Sequence, residues 1–395
     1  MNFSIRSKMN KLSSINGLED KAKKAERRGI EVIGLNAGQP DVPTPPEFMD
    51  AIRNTDVKVI SYTETHGWLP LRNSIAGYYA MLGLDIKPQD IVITMGSSEA
   101  ILWALIMTCD PGDEVIIPEP FYVSYRGIAT ALSIHVKAVR TADDFSLPSY
   151  DVLKTFVTPR TRAILFTNPG NPTGHVYSNE EMCLAAKLAK EHNLFIIADE
   201  VYREFNYSDH ETRSFASMDD IKDHVILLDS ASKRFSACGA RIGCLCSRNP
   251  EVIEEALKLA QTRVSPPYLE MVGCKALFEM EQDYFDSIRE IFRKRRNFLI
   301  NSLNKIPRVN CQKPEGAFYV IVTIPVDDAA RFSEWLLNEY NYQNRTIMLT
   351  PMENFYETSD KGLHEVRLAF VLSEEKLRLA VDILGHALEV YPGKI

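Results

Sequence analysis

The chain of 395 residues predicts an α/β fold: a large domain with a mainly parallel, partly mixed sheet sandwiched by helices, plus a smaller α+β domain formed by both termini. Three observations carry this. The length exceeds what one simple core usually takes. From about Ile91 to Ser247, short β-branched runs alternate with helical patterns. Beyond Pro267 that rhythm stops, and long helical patterns with two isolated strands replace it. The expected division is residues 45–285 for the large domain and residues 1–44 with 286–395 for the small one.

In order, the strands of the large domain are expected at Ile91–Thr94, Glu114–Ile117, Arg162–Thr167, Phe195–Ala198, Val225–Asp229 and Ile242–Cys246. The apolar stretch Ala100–Cys109 has about half the roughly 20 residues of a membrane span and reads as a buried helix. A long helical pattern runs from Pro267 to about Asn304, its cluster Arg293, Lys294, Arg295, Arg296 being simplest as a solvated face. Strands near Ala317–Thr323 and Val366–Val371 and helices at Ala329–Asn338 and Glu374–Val390 make the small domain, which a helix at about Leu18–Arg28 joins.

Composition narrows the function classes. Hydrophobic residues at 45% and charged residues at 25% are those of ordinary globular proteins, and a net charge of −8 argues against a nucleic-acid surface. Met1–Lys11 holds Arg6, Lys8 and Lys11 without an apolar run behind them, so no secretory signal is expected and cytoplasm is the expected location. Seven scattered cysteines suit free thiols in a reducing compartment. Cys244 and Cys246 alternate with Gly243 and Leu245 as strand core would, and no metal site is expected.

Parallel sheets bind ligands at the carboxyl ends of their strands. Polar residues stand there: Ser97 and Ser98, Asn168 and Asn171, Asp199, then Ser230, Ser232 and Lys233. Taken singly, each has an ordinary reading as a cap, a turn or a surface lysine. Taken together, a lysine, two hydroxyls and Arg241 eight positions on suggest an amine beside an anion site.

The segment Ser230-Ala231-Ser232-Lys233 followed by Arg241-Ile242-Gly243 resembles the cofactor-lysine segment of the class I and II aminotransferases, fold type I. The resemblance spans nearly the whole chain. Asn168-Pro169-Gly170-Asn171-Pro172-Thr173-Gly174 resembles the family's turn, Asp199-Glu200-Val201-Tyr202 its Asp-Glu-x-Tyr, and Val366-Arg367-Leu368 its C-terminal arginine segment. The cofactor so implied is pyridoxal 5'-phosphate, held by Lys233 as a Schiff base.

What the resemblance implies for the other residues is consistent with their chemistry. Asp199 would keep the pyridine nitrogen protonated, and Tyr202 and Asn171 would donate to the cofactor's phenolic oxygen. Ser97, Ser98, Ser230, Ser232 and Arg241 would hold the phosphate. Tyr122 is favoured over Phe121 as the aromatic stacked on the ring, and Tyr62 resembles a tyrosine that reaches the neighbouring subunit's phosphate, which implies a homodimer with shared sites. Arg367 would grip the substrate α-carboxylate, and Gly38 would bring backbone close to the substrate.

The implied reaction moves an amino group from an L-amino acid to a 2-oxo acid, 2-oxoglutarate being the expected acceptor, with Lys233 carrying the proton. A carbon-sulfur β-lyase on the same fold is one alternative. A non-catalytic ligand-binding protein is the other; with the fold's own segment starting early, at Leu35–Pro45, an added N-terminal DNA-binding domain is not expected. The donor stays open. One aspartate-using branch carries a lysine where Ser98 stands, and Arg263 is either a cation for the partner's site or a surface residue at a helix end.

Overall fold

A computed structural model describes residues 2–9, 14–210, 212–358 and 361–395, so Met1 and Lys11 of the basic N-terminal stretch lie outside the described residues. After a first short strand, β1 (Glu31–Gly34), the chain builds a seven-stranded sheet. Its strands are β2 (Ile91–Thr94), β3 (Glu114–Glu119), β4 (His135–Arg140), β5 (Thr161–Thr167), β6 (Phe195–Asp199), β7 (Val225–Ser230) and β8 (Gly243–Cys246). The spatial order is β2-β8-β7-β6-β5-β3-β4, with β8 antiparallel to both its neighbours and the rest parallel.

Successive strand side chains point to opposite faces, and both faces here are apolar. Ile196 and Ala198 of β6, Leu227 of β7 and Cys244 and Cys246 of β8 pack on one face with Tyr78, Tyr79, Leu188 and Phe278. Ile197, Ile226, Leu228 and Leu245 pack on the other, against Ala100, Trp103 and Ala104 of the helix Ser97–Thr108 and Val252 and Ala256 of the helix Pro250–Arg263. Burying each large aliphatic side chain contributes roughly 1.5–3 kcal/mol. The helix Ser97–Thr108 is the apolar stretch that read as buried, and no helix among the described residues is long and apolar enough to cross a membrane.

A separate core gathers β9 (Asn310–Cys311), β10 (Tyr319–Thr323), β11 (Arg345–Met348), β12 (Thr350–Pro351) and β13 (Glu365–Ala369) with the helices Gln282–Leu303, Ala329–Asn338 and Glu374–Val390. β12-β13-β10-β9 form one antiparallel sheet, and β1 pairs with β11 in parallel.

Two expectations need correction. The pattern from Pro267 to Asn304 is two helices, Tyr268–Phe278 and Gln282–Leu303, because Glu279 caps the first and Glu281 starts the second. The basic cluster is not wholly solvated: Arg295 and Arg296 are buried, Arg295 paired with Asp41 at 2.7 Å and Arg296 donating to the Pro314 carbonyl at 3.0 Å. The strand β4 escaped notice because it is a polar, half-exposed edge.

Candidate active site

The parallel strands end at a cavity of about 360 Å³ that both cores line. Asp199 is the last residue of β6, and Lys233 sits three residues beyond the end of β7. The helix Ser97–Thr108 begins at the cavity after Gly96, whose φ of 74° is easy only for glycine. A Cβ on Gly96 would lie 2.5 Å from Arg241 Nη2, so the glycine leaves the arginine its place over the helix start. Unpaired N–H groups at Ser97 and Ser98, the Ser232 hydroxyl and the Arg241 guanidinium form an anion cradle. Among the described residues, Arg241 spends donors only on the carbonyls of Cys238 (2.9 Å) and Met95 (3.3 Å).

Lys233 Nζ donates to the Gly38 carbonyl at 2.9 Å. Gly38 owes its identity to its surroundings, since a Cβ there would come within 1.7 Å of the Tyr319 hydroxyl. Asp199 is buried, and that burial pushes its carboxyl up to about 6. The Tyr125 hydroxyl, donating at 2.7 Å, and the Val201 N–H work against this rise; the charge of Asp229 adds to it and that of Lys233 subtracts. Among the described residues, Asp199 Oδ1 accepts only a long 3.4 Å contact from Val201 N, which leaves that oxygen able to take a strong donor.

On the opposite wall, Arg367 of β13 is 2% exposed. Its Nη2 donates to the Asn36 carbonyl at 2.6 Å and its Nη1 to Asn171 Oδ1 at 3.0 Å, and its guanidinium lies 4.3 Å from the Tyr319 ring centroid. Its Nε has no hydrogen-bond partner, and no carboxylate pairs with it among the described residues. Asn171 uses its oxygen on Arg367 and keeps its N–H₂ for another acceptor. Tyr202 shares a 3.0 Å hydrogen bond with the Tyr319 hydroxyl.

Of the residues singled out in the sequence, the cavity brings together Gly38, Ser97, Ser98, Tyr122, Asn171, Asp199, Tyr202, Ser232, Lys233, Arg241 and Arg367. Tyr122, not Phe121, faces it; Phe121 is 2% exposed in the core. Ser230 is corrected: its hydroxyl is spent on Ser232 Oγ (2.7 Å) and the Ile242 carbonyl (3.1 Å), so it braces Ser232 and does not line the cavity. Arg263 is neither a free cation nor a surface residue. It pairs with Glu99 at 3.0 Å, donates to the carbonyls of Ile93 and Thr65, and lies over Trp103. Tyr62 is 84% exposed and away from its own chain's cavity. Tyr125 and Tyr319 went unnoticed, since aromatic residues in helices and strands usually mean core.

A group with an anionic tail, a protonatable ring nitrogen and a carbonyl carbon for an amine fits these walls. The cradle at Ser97, Ser98, Ser232 and Arg241, the open Asp199 oxygen and Lys233 match the three parts of pyridoxal phosphate.

Comparisons with known proteins agree. The family model "Aminotransferase class I and II" matches residues 30–384. The chain is 31% identical to an aspartate aminotransferase of Musicola paradisiaca over 97% of this chain and 96% of that one, and 33% identical to that of Thermotoga maritima over 92% and 93%. The solved structure of the Thermus thermophilus aspartate aminotransferase with maleate superposes with a TM-score of 0.87 at 29% identity, covering 98% of this chain and 100% of that one.

Proposed function

This chain belongs to the class I and II aminotransferases and is a pyridoxal phosphate-dependent transaminase; from that premise we propose that Lys233 is its cofactor lysine and Arg367 its substrate anchor. The observation that carries the proposal is the buried Arg367 with no carboxylate partner among the described residues, in the same cavity as the Lys233 amine. A buried cation is costly without a counter-charge, and an amino acid's α-carboxylate supplies one bidentately.

Bound there, pyridoxal phosphate supplies an electron sink for the bonding electrons released at the substrate's α-carbon. Lys233 holds the group through its amine and then carries the α-proton as general base and acid. Asp199, whose carboxyl is raised by burial, would pair with the protonated ring nitrogen and so keep its negative charge. Tyr202 and Asn171 would donate to the ring oxygen, Tyr122 would cover the ring, and Ser97, Ser98, Ser232 and Arg241, which line the same cavity, would hold the phosphate. Gly38, by carrying no side chain, leaves the Tyr319 hydroxyl its place in the cavity wall.

The proposed acceptor is 2-oxoglutarate. The proposed assembly is a homodimer in which Tyr62 reaches the partner's phosphate; the exposed run Val59, Ile60 and Tyr62 supports a second copy as cover. Seven free thiols, five of them buried, suit a reducing compartment, and cytoplasm is the proposed location.

The deciding experiment incubates the loaded protein with a panel of amino donors, with and without 2-oxoglutarate. Stoichiometric 2-oxo acid and glutamate, dependent on the acceptor, are expected. Ammonia and pyruvate from cystine without an acceptor would replace the reading by β-elimination.

A further inference from the structure

Lys233 rides on a turn closed from behind by two fully buried charges. Asp229 is 0% exposed and the Arg234 side chain is 0% exposed; Arg234 Nη2 donates to Asp229 Oδ1. Asp229 also accepts from Ser230 N at 2.7 Å and from the Tyr79 hydroxyl at 3.0 Å. Arg234 lies 4.7 Å from the Tyr78 ring centroid, its Nε and Nη1 have no hydrogen-bond partner among the described residues, and its carbonyl accepts from the Tyr284 hydroxyl at 2.9 Å. The paired residues flank Ser230, Ser232 and Lys233, so one side-chain contact closes the loop that carries the amine.

Stability does not account for such a pair. Desolvating two charges costs about what their attraction returns, and apolar replacements of equal volume are often as stable or more so. Its place in the chain suggests a different role. Building on the reading of Lys233 as the cofactor lysine, we propose that Asp229 and Arg234 are its positioning pair, closing the turn around the amine and balancing the charge behind it.

The charge part follows from what faces what. Across the cavity Lys233 meets Asp199, Tyr122, Tyr202, Tyr319 and Arg367, with Arg241 on its own segment. Behind the turn stand Tyr78, Tyr79, Cys244, Cys246, Tyr284, the buried pair Glu200–Arg203, and Glu204 beside Tyr78, the last answered by Arg289 at 3.4 Å. Asp199 feels both Asp229 and Lys233, which puts Asp229 within electrostatic reach of the cavity. While Asp229 and Arg234 are joined, their fields largely cancel at the amine. Remove one, and the other acts alone. A lone Asp229 favours protonation nearby, and a lone Arg234 opposes it.

The test loads the parent, Arg234→Met, Asp229→Asn and the double variant with pyridoxal phosphate and follows the near-visible absorbance of the bound cofactor against pH. The midpoint is expected to rise by about one pH unit in Arg234→Met and to fall by about one in Asp229→Asn, the order of size for one uncompensated buried charge at an effective dielectric of about 20. The double variant, with both charges gone, is expected within about 0.3 unit of the parent. Midpoints that stay put in both single variants, or move the same way, overturn the proposal. Should Arg234→Met not fold, Asp229→Asn still decides by its downward shift, and Arg234→Lys, which keeps the charge, is expected to match the parent. An imine band, titrating with the parent's midpoint, that survives Lys233→Ala would instead overturn the reading of Lys233, separately from the pair.

Discussion

Two buried arginines stand on opposite sides of Lys233, and they differ in one respect. Arg234 and Arg367 are both nearly without solvent exposure, and both lie over a tyrosine ring, at 4.7 and 4.3 Å. Behind the lysine, Arg234 is matched by Asp229. In front of it, Arg367 has a carbonyl and an amide oxygen but no carboxylate among the described residues. Burial alone therefore does not tell structure from function; charge balance does. A matched pair fixes the frame, and an unmatched cation in a cavity awaits an anion.

The comparison can be broken in several ways. The largest effect is expected between the two arginines: Lys233→Ala should lower turnover by at least about 10³-fold and abolish the imine absorbance while leaving the fold intact. Next, Arg367→Met should lower kcat/KM for amino donors by about 10²–10³-fold, the worth of two charge-assisted hydrogen bonds. The same change should leave thermal stability unchanged or raised, whereas Arg234→Met strands Asp229 and should cost about 3–5 kcal/mol in denaturant unfolding. Equal losses of stability from the two would erase the distinction.

Asp199 offers a pH test on cofactor-free protein. Its folded carboxyl titrates at about 6 against an ordinary 3.8, so the unfolded chain gives up this proton first and stability falls as pH rises between those values. The fall is worth about 3 kcal/mol. Unfolding curves of the parent and Asp199→Asn between pH 4 and 6 should diverge by that amount, and the divergence should shrink once pyridoxal phosphate is bound. The smallest effect on activity is expected from Arg263→Ala. Loss of the half-buried Glu99 pair should cost about 1–2 kcal/mol of stability while the ratio of aspartate to aromatic donor rates changes less than about twofold. A collapse of aspartate turnover alone would show that Arg263 reads the substrate.

The front of the site was legible in the sequence because strand ends are legible. Ile196 and Ile197 announce a buried strand, so Asp199 at its end stands out; Val225–Leu228 does the same for the turn with Lys233. The turn residues around Asn171 have their own signature. The back was not legible. In the sequence Asp229 reads only as a strand terminus and Arg234 has no distinct reading, because pattern cannot tell an outward arginine from one folded back onto the residue five positions earlier. Tyr125, which supports Asp199, and Tyr319, which links Tyr202 to Arg367, are aromatic positions that look like core until coordinates orient their hydroxyls. Ser230 misled for the opposite reason: its motif position suggests a ligand, yet Ile242 and Ser232 occupy its hydroxyl.

The parallel pairing of β1 with β11 has a consequence in time. Glu31 lies beside Arg345, and the Arg367 guanidinium closes on the carbonyl of Asn36, 331 residues earlier. At about 5–20 residues per second, a ribosome needs roughly 15–65 s to deliver the second partner after the first. Through that interval β1 is an open edge with no strand beside it. The wall with Asp199 and Lys233 is synthesised well before the wall with Arg367, so the half that would hold the cofactor is ready for ordering before the half that would choose the substrate exists.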